Sequence, residues 1–88
     1  MSGNDEVVQV EGRILAILWT TPHRRSVESI ELLDRYKEEF GEVNLSILKE
    51  AMRRLIKNDY VESGISYGRR WFALTKKGVD FCREVLGE

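Results

Sequence analysis

The 88-residue chain has one cysteine, one proline and one histidine, and no apolar run longer than Ile14 to Trp19. Each scarcity excludes something. A single Cys82 forms no internal disulfide and no cysteine-based zinc site. Its helical spacing with Val79, Val85 and Leu86 reads as a small buried hydrophobe rather than a reactive thiol. An apolar run that short falls far below the roughly 20 residues that cross a bilayer as a helix. His23 has no other metal-ligand types around it, so a surface position is expected, with no metal and no cofactor. No Gly-rich phosphate loop, HExxH, CxxC or GxSxG occurs. The carboxylate pairs Glu28/Glu31 and Glu31/Asp34 fall on a face that should be wet, where nothing desolvates one of them for acid–base work. No enzyme is expected. The N-terminal MSGNDEVV is acidic and polar, unlike a signal peptide, and an intracellular, cytoplasmic location fits these features.

The composition is that of a globular chain, 42% hydrophobic and 33% charged, which argues against wholesale disorder. A core of this size is limited, and dimerisation would help stabilise it.

The net charge of −1 lacks the basic excess of many nucleic-acid binders, but the charges are segregated. From Lys49 to Lys77 eight cations stand against three acids, a local +5; from Glu28 to Glu42 six acids stand against two cations, a local −4. Phosphate attraction follows the local field rather than the whole-chain sum.

In chain order, residues 1–7 are expected to be flexible and residues 8–88 to form one domain. Val10, Ile14, Ile17 and Leu18 predict a first helix over Val8–Thr20, broadened by Leu15 and Trp19 and stopped by Pro22. His23-Arg24-Arg25 reads as an exposed basic corner of solvated charge. Ser26-Val27 would add a short strand. A second helix starting at Glu28 or Ser29 has Ile30, Leu33, Tyr36 and Phe40 as its apolar face, with Leu32 alongside and Gly41 at its C-terminal end. Its acidic outer face is either a solubilising surface or a docking surface for a basic protein partner. Asn44 is the expected N-cap of a third helix running to Asn58. That helix buries Leu48, Ala51, Met52, Leu55 and Ile56 and presents Ser46, Lys49, Arg53 and Lys57 outward, flanked by Glu50 and Arg54. Alternation in Tyr60–Ile65 and in Arg70–Leu74 predicts two strands about a turn, Ser66–Arg69, in which Gly68 takes positive φ. Thr75 caps a last helix, Lys76 to Leu86.

Three helices followed by a two-stranded hairpin and a final helix make an α+β, mostly α, winged helix-turn-helix arrangement. LKEAMRRLIKNDYVESG resembles a recognition helix entering a wing, and RRWFALTKKG resembles the wing's return strand leading to the last helix. On these motifs, from about Gly12 to the C-terminus, the sequence resembles the winged helix-turn-helix superfamily, in particular small archaeal and viral members and the PadR- and MarR-like regulators. The link EEFGEVN departs from the compact turn of many bacterial regulators.

The expectation is a DNA-binding protein working as a homodimeric transcriptional regulator. The third helix would enter the major groove with Asn44, Ser46, Lys49, Glu50 and Arg53 near base edges, and with Arg54 and Lys57 on phosphates. The resemblance implies that the wing residues Tyr67, Arg69 and Arg70 reach the flanking backbone or minor groove. Trp19, Phe81 and Val85 are the expected dimer anchors. The alternative is a winged-helix protein-interaction module in a larger assembly.

Overall fold

Val7, Val10, Ile14, Ile17 and Leu18 recur three and four apart, and in the computed structural model they form the buried stripe of helix α1 (Ser2–Trp19). The structure describes residues 2–87, with side chains from Asp5 onward; Met1 and Glu88 lie outside the described residues. The helix thus begins earlier than the expected Val8. Val7 extends the apolar series by one turn and belongs to the core, so it is not part of a loose leader.

Pro22 ends α1, and a 3-10 turn (Pro22–Arg24) leads to strand β1 (Val27–Glu28) and helix α2 (Ser29–Phe40). The expected apolar face of α2 is rotated. Leu32 and Tyr36 enter the core, whereas Ile30 is 68% exposed. At 3.6 residues per turn Ile30 stands about 200° round the helix from Leu32, and Arg35 fixes which side turns inward. Its guanidinium donates to Thr21 Oγ1 at 2.8 Å, Thr20 Oγ1 at 3.1 Å and the Ile17 carbonyl at 3.3 Å. A cation thereby covers the carbonyl end of α1, where it complements the helix dipole.

Gly41, at φ 91°, turns the chain out of α2. Asn44 then caps helix α3 (Leu45–Lys57), its side-chain oxygen accepting from the backbone N–H of Ser46 at 2.8 Å and of Ile47 at 3.4 Å. Ala51, Met52 and Leu55 are buried beneath α3, and Leu48 is half-buried. Ile56, expected inside, lies at the edge of the stripe and is exposed.

Strands β2 (Val61–Ser66) and β3 (Arg69–Leu74) form the wing, and β1 pairs with the other edge of β3 to give an antiparallel sheet in the order β1-β3-β2. The short segment at Val27 is therefore a third strand, in register Val27↔Phe72 and Glu28↔Trp71. Thr75 caps helix α4 (Lys76–Leu86) by accepting from Gly78 N–H at 3.0 Å. Gly78 packs on the Tyr60 carbonyl so closely that a β-carbon there would collide with it. Cys82 is buried where α4 meets the core, and that burial raises its thiol pKa. The fold is α+β, mostly helical, and has the winged-helix arrangement. No helix among the described residues is long and apolar enough to cross a membrane.

Candidate nucleic-acid interface

Because Ala51, Met52 and Leu55 anchor α3 on the core, its opposite stripe of Ser46, Lys49, Arg53 and Lys57 is exposed. Arg53 is held along the helix by Glu50, at distances of 2.6 Å and 2.8 Å. The hydrogen bonds from Arg53 hold the Glu50 carboxyl below the usual glutamate range. Lys49 and Lys57 make no ion pair among the described residues. Asn44 is exposed beside this stripe, but its side-chain oxygen is committed to the cap, which leaves its amide N–H groups for a ligand.

Arg54 departs from expectation. About 100° round the helix from Arg53, it faces α1 and pairs with Glu11 at 2.9 Å. It is a tie between helices rather than an outward cation. Glu11 is half-buried there, and desolvation raises its pKa above the ordinary glutamate value even though Arg54 opposes the shift.

The wing turns on two residues, Tyr67 and Gly68, with φ 53° and 76°, the left-handed pair that a two-residue hairpin requires. Ser66 pairs with Arg69, so both belong to strands, and the turn is shorter than the sequence pattern implied. Tyr67 stands fully exposed at the tip. Trp71 lies across its cross-strand partner Gly64, where a β-carbon would strike the indole.

Neighbours along a strand point to opposite faces, so Arg69 and Arg70 diverge. Arg70 shares the face of buried Phe72 and donates to Ser63 Oγ at 3.0 Å. Arg69 lies on the outer face, 3.5 Å from Glu28 of β1. The structure thus brings Arg70 beside the α3 stripe and leaves Arg69 and Tyr67 at the tip and outer face of the wing.

Between α2, α3 and β3 runs a groove of about 580 Å³ floored by Leu32, Leu33, Leu48, Met52 and Phe72. Lys49 and Arg53 border it from α3, and Arg70 borders it from the wing. The sequence pattern alone did not reveal this feature or the partners Ser63 and Glu28. Ser63 would have needed the strand register, which the two-residue turn at Tyr67-Gly68 sets.

The expected dimer anchors separate as well. Arg24 stacks over the Trp19 ring at 3.9 Å from its centroid, covering one face of it. Phe81 is half-buried against Tyr60, with ring centroids 4.9 Å apart. Val85 is 60% exposed and, with Leu86, Phe81, Gly12 and Leu15, lines a small apolar cleft between α1 and α4. Trp19 does not reach that cleft. The basic corner also has internal partners, since Arg25 pairs with Glu31 at 2.8 Å.

No family model and no curated protein sequence matches the chain. Among solved structures it is similar to the crystal structure of SSV1 F-93, with a TM-score of 0.73 and 22% identity over 86% of this chain and 80% of that one. At that identity the likeness speaks to the fold.

Proposed function

We propose that this chain is a non-enzymatic, intracellular DNA-binding protein that acts as a homodimeric transcriptional regulator. The observation that carries the reading is the continuity of Lys49, Arg53 and Lys57 on α3 with Arg70 on the wing. Helix α3 lies in the major groove, where Arg53 and Lys49 suit guanine, Glu50 suits cytosine, and Ser46 suits either partner of a pair. Glu50 and Arg53 release one another as each meets a base. Lys57 and the amide of Asn44 meet the groove walls. Arg70 contacts flanking phosphate, and Arg69 and Tyr67 follow the backbone or minor groove from the wing tip.

Dimerisation uses the face between α1 and α4, where Val85 and Leu86 are exposed and Val8, one turn from Gly12, is exposed on the same side of α1. Phe81 supports this face from beneath. Two α3 helices then read half-sites about one helical turn apart.

Selection from randomised duplexes, followed by footprinting, tests this reading. It predicts a two-fold site with half-sites about 10 base pairs apart and major-groove protection in each. Enrichment of no sequence, or protection confined to one isolated half-site, contradicts the regulator and dimer parts.

A further inference from the structure

We propose that the groove along α3 is a ligand site for an amphipathic anion, an extended alkyl chain ending in a carboxylate or similar group. We further propose that such a ligand displaces DNA. The site stands on the groove itself, whereas the displacement rests on the DNA-binding reading above.

Three observations define the ligand. The groove follows one stripe of α3 from Leu45 through Leu48 and Met52 to Ile56, all of which line it. At a rise of 1.5 Å per residue that stripe extends about 16 Å, which suits an extended chain better than a compact ring. Leu45 and Ile56, at the two ends of that stripe, are both exposed, so the apolar wall stays open beside the basic stripe of α3. Isolated exposed hydrophobics are ordinary, but a contiguous strip with a shaped floor marks a binding groove.

The third observation is the charge of the rim. Lys49, Arg53 and Arg70 contribute to the lining, and no acidic residue does. Arg53 is already neutralised by Glu50. Lys49 and Arg70 have no acidic partner among the described residues; Arg70 bonds only the neutral Ser63 hydroxyl. An apolar trough edged by two uncompensated cations is complementary to an alkyl anion and penalises both a cation and a second buried acid. The depression beside it shares Ser29, Leu33 and Arg70 and adds exposed Ile30, which carries the apolar surface toward β1 as far as the Glu28–Arg69 ion pair that also lines it. Lys49, Arg53 and Arg70 are also the proposed DNA contacts, so ligand and duplex compete for the same cations.

The test is methyl NMR of the whole protein titrated with decanoate, with decan-1-ol as the uncharged comparator. The expected result is saturable shifts of the Leu33, Leu48 and Ile56 methyls, with decanol about tenfold weaker. Arg70→Ala and Ile56→Glu, both at exposed positions, should each weaken decanoate binding about tenfold, while Lys76→Ala on α4 leaves it unchanged. Absence of saturable shifts, equal binding of decanol, or shifts centred on the cleft between α1 and α4 overturns the site. In a second arm, decanoate is added to the protein–duplex complex. Release of the duplex supports competition, and retention of the duplex by decanoate-saturated protein overturns it. If decanoate binds in the groove but the protein binds no duplex at all, the DNA reading fails and the ligand site stands.

Discussion

Arg54 pairs with Glu11 at 2.9 Å, tying α3 to α1, while the adjacent Arg53 lies on the outward stripe of the same helix. One arginine of the doublet therefore supports the fold and the other serves the site. Arg54→Ala, which leaves Glu11 half-buried without its partner, should lower stability by about 1 kcal/mol and leave the outward charge in place. Arg53→Ala should change stability by less than about 0.5 kcal/mol, because its pair with Glu50 is exposed, yet weaken specific DNA binding about tenfold. Thermal melts beside duplex titrations of the two variants measure this separation, and exchanged effects would contradict the assignment.

Asn44→Ala removes the cap that the Ser46 and Ile47 N–H groups use. The expected loss is about 1 kcal/mol, read as a fall of roughly 4–8 °C in melting temperature for a domain of this size. Because its side-chain oxygen acts within the protein, the salt dependence of DNA binding should stay as in the wild type.

Tyr67 occupies a left-handed position at φ 53° that asparagine adopts more readily than a bulky aromatic. Tyr67→Asn should therefore hold or raise the melting temperature, by up to about 1 kcal/mol in stability, while lowering duplex affinity through loss of the exposed ring. A variant that is both less stable and equally avid for DNA would contradict the role given to the wing tip.

The carboxylates differ in the sign of their response to pH. Hydrogen bonds from Arg25 and Arg53 hold Glu31 and Glu50 below the ordinary midpoint of roughly 4.3. Their stabilising contribution is present above that midpoint and is lost as pH falls through the lowered values. Glu11, raised chiefly by burial, acts in the opposite sense. Its contribution is present below the ordinary midpoint and is lost as pH rises through its raised value. Carbon-detected titration of the glutamate carboxyls should place Glu11 above Glu31 and Glu50, and Arg54→Ala should raise Glu11 further.

What could be read in the sequence was local. Asn44 and Thr75 cap the helices they precede because a cap acts within one turn. Gly68 marks the wing because its positive φ is a property of the turn itself. The fold follows from the order of such pieces. What escaped depends on how the elements rotate against one another. Ile30 faces out because Arg35 fixes α2 on the end of α1. Two of the arginine doublets look uniform as text, yet the helix divides Arg53 from Arg54 and the pleat divides Arg69 from Arg70. The groove was invisible for the same reason, since α2, α3 and β3 each supply part of its lining.

The central claim is that the basic face of α3 and the wing bind DNA. Its most direct test is fluorescence anisotropy of a labelled random duplex titrated at two salt concentrations, with wild-type protein and with Arg69→Ala/Arg70→Ala. The account predicts non-specific binding with a Kd of roughly 10⁻⁴ to 10⁻⁶ M that weakens steeply with salt as counterions are released. It also predicts a shallower salt slope in the variant, by about one for each phosphate that the missing arginines no longer neutralise. No binding by the wild type even at low salt would contradict the claim and leave the basic face as a surface for a protein partner.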